Sequence, residues 1–186
     1  GQTCPTRDGT YGPQKGWGGC SFCDVHGSAS YFSNLRKELP VRLQMEAAAG
    51  AIKKRFKAEN FVAYFQSYTT THQEITEFKS RYDEAVAFPG VVRLAVGTRP
   101  DCLPDEVLEL LATYLDRVDV QLELGVQSFS DEVLDWYDRG HDSATAVEAL
   151  ERALAFSRAC KKKGLSKELD VSAHLILGAP METDSD

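Results

Sequence analysis

Val118-Asp119-Val120-Gln121-Leu122-Glu123-Leu124-Gly125-Val126-Gln127 alternates apolar and polar residues along its length. Val120, Leu122, Leu124 and Val126 share one parity; Gln121, Glu123 and Gln127 share the other. Side chains of a strand point to opposite faces with period two, so this segment has one apolar face and one polar face. A second segment, 169–177, repeats the pattern with Val171, Ala173, Leu175 and Leu177 against Ser172 and His174. The apolar faces call for a covering layer of helices. The polar faces must then line a lumen or crevice, where polar groups need partners. A barrel packed only for stability would be filled with branched aliphatics. A polar lumen points to a ligand.

Outward from this segment the chain alternates. The pattern predicts strands over 61–66, 91–96, 118–125 and 169–177, and helices over 75–88, 104–114 and 143–163. A further helix follows Pro40, with Leu43, Ala47, Ala51 and Phe56 near one face. Strands alternating with helices over short links imply an α/β fold built on a mostly parallel sheet. Polar and irregular residues gather where the strands end: Gln66-Ser67-Tyr68, Gly97-Thr98-Arg99, Gly125-Val126-Gln127-Ser128 and Gly178-Ala179-Pro180. The C-terminal ends of parallel strands are where such folds bind ligands. His141 is expected to order a helix start, with Asp142 and Ser143 as capping residues.

Composition narrows the classes. A chain of 186 residues with 42% hydrophobic residues can bury a real core. No apolar run reaches membrane-spanning length and no signal-like segment opens the chain. The formal charge of −7 lends no support to a duplex partner. Five cysteines, an odd number and clustered, argue against a disulfide framework and for a reducing compartment, the cytoplasm by default.

Three of those cysteines carry the chemistry. Cys20 and Cys23 stand in Gly18-Gly19-Cys20-Ser21-Phe22-Cys23, and Cys4 lies upstream across a glycine-rich loop. Three thiolates can hold three corners of a four-iron cluster and leave one iron open. Alternatively, His26 completes a Cys3His shell for zinc. The spacing admits both. Cys102 and Cys160 are expected to be small buried hydrophobes.

Several blocks in order resemble the radical SAM (S-adenosylmethionine) superfamily and, within it, the YhcC-like proteins. They are Cys4-Pro5-Thr6-Arg7-Asp8-Gly9-Thr10, Gly18-Gly19-Cys20-Ser21-Phe22-Cys23, Tyr64-Phe65-Gln66-Ser67-Tyr68-Thr69 and Gly97-Thr98-Arg99-Pro100-Asp101. Glu123-Leu124-Gly125-Val126-Gln127-Ser128, Arg139-Gly140-His141 and Ala173-His174-Leu175-Ile176-Leu177-Gly178 complete the series. Thr98-Arg99-Pro100-Asp101 and Gly125-Val126-Gln127-Ser128 are also similar to the radical SAM domain of the Elongator catalytic subunit.

The resemblance implies a partial (β/α)6 TIM-like barrel of parallel strands. It implies a [4Fe-4S] cluster on Cys4, Cys20 and Cys23, with SAM on the open iron cleaved reductively to a 5′-deoxyadenosyl radical that abstracts hydrogen from a substrate. Phe22 would pack near adenine, and the stretch from Gln66 and Ser67 to Thr69 would meet the methionine amino group through backbone. Glu123 and Gln127 would bind ribose or the methionine end, with Arg99 either in this set or paired to one of them. Ile176 and Gly178 match an adenine motif, and His174 would contact substrate or move a proton. An electron donor such as flavodoxin or ferredoxin is implied. The alternatives are an Elongator-like tRNA-modifying domain, a zinc-stabilised α/β module, and a scaffold that keeps the cluster without cleaving SAM. Residues 1–186 are expected to form one radical SAM core domain, its first strand nearly absent and its sixth absent. The block Ala179-Pro180-Met181-Glu182 departs from the family's usual turn.

Overall fold

The structure is a computed structural model and describes residues 3–11, 18–24, 39–165 and 167–182. In chain order its elements are α1 (Val41–Phe56), β1 (Phe61–Phe65), α2 (Ile75–Val86), β2 (Val91–Thr98), a short 3-10 turn (Pro100–Cys102) and α3 (Asp105–Ala112). Then come β3 (Asp119–Gln127), α4 (Asp131–Trp136), α5 (Ser143–Lys162) and β4 (Leu169–Leu175). The four strands form one sheet in the order β1-β2-β3-β4, and every pairing is parallel. The α/β class and the parallel order are those predicted.

Parity decides the layers. Val120, Leu122, Leu124 and Val126 of β3 are fully buried and join Phe78 and Tyr82 of α2, Leu108 and Leu111 of α3, and Ala146, Ala149 and Ala153 of α5 in one core. Small residues on α5 let that helix lie close to the sheet. Tyr82 is the hub of the aromatic part, 4.8 Å from Phe65, 5.6 Å from Phe78 and 6.4 Å from Tyr114 between ring centroids. Offset and edge contacts of this kind add to plain area burial.

The structure departs from the sequence reading at four places. The buried stripe of α1 is Val41, Met45 and Ala49, whereas Leu43 and Phe56 are exposed. Glu84 of α2 accepts the Arg42 backbone N–H at 3.0 Å and helps to fix that rotation. Strands β2 and β3 run on to Thr98 and Gln127, because Gly97 and Thr98 still pair with Glu123 and Leu124. Helix α4 and the 3-10 turn have too few residues to show a period. Finally, β4 lies at the sheet edge and ends at Leu175, short of the expected 177; Leu175 and, beyond the strand, Leu177 are 48% and 84% exposed.

Candidate metal centre and cofactor pocket

Cys4, Cys20 and Cys23 line one cavity of about 270 Å³ at the C-terminal ends of the strands. Two backbone hydrogen bonds seat the cysteine loop there, Thr69 N–H to Thr3 O and Ser21 N–H to Tyr137 O, and within the loop Gly19 N–H donates to Thr6 O, all at 3.0–3.1 Å. The loop thus docks on both the β1–α2 link and the end of α4. Among the described residues no three His, Cys, Asp or Glu side chains gather tightly enough to hold one ion. The three thiols are set around the cavity. His26, the fourth ligand of the zinc alternative, lies outside the described residues.

Each thiol meets a guanidinium. Arg7 Nη2 donates to Cys23 Sγ at 3.3 Å, and Arg139 Nη1 to Cys20 Sγ at 3.3 Å. Arg99 Nη1 stands 3.8 Å from Cys4 Sγ and 4.0 Å from Cys20 Sγ. Cys4 also accepts from Thr69 Oγ1 at 3.1 Å and shares a hydrogen bond of the same length with Thr6. Burial pushes the Cys4 thiol up; Arg99 and the two threonines outweigh it, so the net shift is down. A lowered thiol is ready as thiolate, the form that binds metal.

Arg99 and Arg139 are only 3% and 5% exposed. Among the described residues the one carboxylate ion-paired with either is Asp101, held by Arg99 through two contacts of 2.9 and 3.0 Å. Buried charge needs compensation, and here positive charge is in excess. The donor set therefore fits an anionic group: three cysteine sulfurs, which bind metal as thiolates, two of them facing buried guanidiniums. The predicted pairing of Arg99 with Glu123 or Gln127 gives way to Asp101, its near neighbour in sequence.

A buried chain of donors fixes Arg139. Its Nε donates to His141 Nε2 at 3.3 Å, while His141 Nδ1 donates to Asp142 O at 3.2 Å and another guanidinium nitrogen reaches Gly125 O. His141 is therefore neutral, pushed down to about 4 by burial and by Arg139. Asp142 caps α5 by accepting from Thr145 N–H at 2.8 Å. Gly140 lies where a Cβ would fall 2.2 Å from the Tyr11 ring and 2.8 Å from Arg99 Nη2, so Arg139-Gly140-His141 needs its glycine.

The strand ends supply the other wall. Glu123 accepts from Tyr64 Oη at 2.5 Å and lies 3.1 Å from His174 Nε2, which ties β1, β3 and β4 together across the pocket. Burial first, then Glu123, pushes the Tyr64 phenol up, so it stays a donor. Gln127 sits at a register shift with φ of 75°, a left-handed conformation uncommon outside glycine. Such backbone strain concentrates at functional sites. Phe22 is 38% exposed, edge-on to Tyr137 at 5.2 Å and under the Arg139 guanidinium at 5.7 Å.

The structure brings Phe22, Gln66, Arg99, Glu123, Gln127, His174 and Ile176 to the cavity lining with the cysteines. Ser67, between Gln66 and Tyr68, and Gly178, two residues beyond Ile176, are not themselves in the lining. Glu182 caps the last turn by accepting from the Gly178 and Ala179 N–H groups, and Ala179 and Met181 of the same block pack with Val133 and Tyr137. Cys102 and Cys160 are buried, and burial raises both thiols, Cys102 to about 12. Sequence reasoning missed Arg7, Arg139 and Tyr64 as site residues, and did not foresee that Thr69 donates to Cys4 Sγ. Tyr64 shares the parity of Gln66, which was a usable signal.

Residues 16–186 match the Radical SAM superfamily. The chain belongs to that superfamily. Protein YhcC of Escherichia coli (strain K12) is 39% identical over 183 residues, covering 98% of this chain and 52% of the relative. The YtqA protein of Bacillus subtilis (strain 168) is 31% identical over 179 residues, covering 96% and 50%. This radical SAM chain spans about half the length of the curated relatives it matches. Among solved structures, the Methanocaldococcus infernus Elp3 with an N-terminal deletion superposes with a TM-score of 0.61 at 20% identity, over 81% of this chain and 37% of that one. That likeness supports the fold, a radical SAM partial barrel. Among the described residues no helix is long and apolar enough to cross a membrane.

Proposed function

We propose that residues 1–186 form one radical SAM core domain, holding a [4Fe-4S] cluster on Cys4, Cys20 and Cys23 and binding SAM along the C-terminal ends of β1 to β4. One observation carries the reading: three thiols from two loop segments share a cavity with Gln66, Glu123 and Gln127, beneath buried guanidiniums in excess of their carboxylates. Bound together, the reduced cluster and SAM supply a 5′-deoxyadenosyl radical that takes a hydrogen atom from a substrate.

The chain's own residues prepare the place. Cys4 is held below the ordinary thiol range by Arg99, Thr6 and Thr69 against its burial. Glu123, pinned by Tyr64, presents a carboxylate to hydroxyl donors such as those of ribose. Gln127 contributes its amide from a strained, fixed backbone. Phe22 offers a ring face for adenine, and Ile176 an apolar contact beside it. Ser67 and Gly178 act through main-chain groups. Arg99 is kept for the thiols rather than for SAM, since Asp101 holds it. His174, half exposed at the rim, is the group for substrate contact or proton transfer. The electron comes from a donor of the flavodoxin or ferredoxin class in a reducing cytoplasm.

Anaerobic reconstitution with iron and sulfide, followed by EPR of the reduced protein with and without SAM, tests the reading. A [4Fe-4S] signal that shifts on adding SAM, and is lost in Cys20→Ala, is the expected result. Uptake of zinc in place of iron, or a signal indifferent to SAM, would overturn it.

A further inference from the structure

Arg7 is held from every side. Its Nη2 donates to Cys23 Sγ and to Cys23 O, both at 3.3 Å, and to Asp24 O. The guanidinium lies over the Tyr68 ring, 5.5 Å from the centroid. Opposite, Gly19 has φ of 102°, and a Cβ there would fall 2.7 Å from Arg7 Nε. Glycine is needed at that position both for its backbone and for the space the guanidinium takes. Tyr68, the stacking partner, is itself left-handed with φ of 59°. Two unusual backbone conformations thus bracket one side chain. Gly19 adopts its angle without strain, whereas the strain at Tyr68 persists only when its surroundings over-determine it.

The thiol that Arg7 meets is the most exposed of the three. Cys4 and Cys20 are buried, and each faces a buried guanidinium; Cys23 is only part-buried. A charge-assisted hydrogen bond to sulfur orients the side chain and favours electron density on it. A cation at 3.3 Å also stabilises any negative charge that the thiolate shares with a metal group.

We infer that Arg7 is a positioning residue for Cys23: it fixes the exposed third ligand and, with Arg99 and Arg139, closes a cationic collar that raises the reduction potential of the cluster. The inference rests on the cluster reading above. Removing this cation makes the added electron harder to accommodate, so the midpoint moves negative. Removing the guanidinium also frees Cys23. Lysine restores the charge but not the placement, because an ammonium is a point charge on a flexible stem and cannot lie flat over the Tyr68 ring as the planar guanidinium does.

The experiment uses the reconstituted wild type, Arg7→Gln, Arg7→Lys and Gly19→Ala, with far-UV circular dichroism confirming the fold. EPR-monitored redox titration gives the midpoint of the cluster, and an iron chelator gives its release rate. R7Q shifts the midpoint to more negative potential and releases iron about tenfold faster, the size of one charge-assisted hydrogen bond. R7K recovers the midpoint but keeps the fast release. G19A, which displaces the guanidinium without removing it, moves both readouts in the R7Q direction. A wild-type midpoint in R7Q overturns the inference whatever its iron release. So does an equal midpoint shift in R7Q and R7K, which marks lost packing and not lost charge. A wild type that takes up no cluster overturns the cluster reading and this inference with it, whereas a loaded wild type beside an unshifted R7Q overturns this inference alone.

Discussion

His141 shows how one residue links acid stability to the site. It is buried, accepts from Arg139 Nε and is pushed down to about 4, first by its burial and then by the neighbouring guanidinium. In the unfolded chain its value returns to about 6.5. Between these values the unfolded state binds more protons than the folded state, so stability rises with pH there and falls as the pH drops. Above about 6.5 the residue is neutral in both states and costs nothing. At pH 5 the loss is about 2 kcal/mol relative to pH 7, from the size of the shift. His141→Gln keeps an acceptor for Arg139 and cannot titrate. Urea unfolding of the apo protein at pH 7 and pH 5 should therefore show a smaller acid loss in H141Q than in the wild type, by about that amount. Equal losses would mean that His141 is already protonated in the fold, and the neutral acceptor role would fail.

Strands were more legible than loops because strand parity is a local property. The polar positions of β3 follow from counting by two, and Glu123 and Gln127 do line the cavity. The same count applied to β1 places Tyr64 with Gln66, and the contact between Tyr64 and Glu123 then joins strands that are not neighbours. Helix α1 misled because apolar stripes run along two opposite faces of it, and the tertiary contact from Glu84 helps to select one. Arg7 and Arg139 were invisible to periodicity: both lie outside helices and strands, and their targets are 16 and 119 residues away in sequence. Cys4, Cys20 and Cys23 were legible by type and spacing, but the guanidinium beside each thiol was not. The parity of β3 makes a direct prediction. Leu122→Ala should cost about 2–5 kcal/mol, the range for a fully buried leucine, while Gln121→Ala one residue away should cost under about 1 kcal/mol. Denaturant unfolding of the two variants measures both. Similar costs would mean that the two faces of β3 are not divided as described.

At the scale of the whole molecule the cavity joins two parts with little else in common, the cysteine loop and the sheet. Two backbone hydrogen bonds seat the loop, and the guanidiniums of Arg99 and Arg139 stand between it and the strand ends. In the apo protein the two cations repel one another, and burial together with Arg99 depresses Arg139. An anionic cluster relieves that repulsion, so loading should stabilise the entire fold and not merely the loop, as any ligand of the native state does. The share carried by Arg139 is separable. Arg139→Met loses the hydrogen bonds to Gly125 O and His141 in both the apo and the loaded protein, so that cost cancels when the gain on loading is compared. The contact with Cys20 is also made before loading, so what does not cancel is its strengthening when the sulfur carries cluster charge, about 1.5 kcal/mol from the difference between hydrogen bonds to charged and to neutral groups. For a chain of this length that corresponds to about 5 °C. Anaerobic thermal melts of apo and reconstituted protein should thus show a rise in Tm on loading that is about 5 °C smaller in R139M than in the wild type. Equal rises in the two proteins would mean that the buried guanidinium does not sense the cluster, and the excess of positive charge would then serve the apo fold alone.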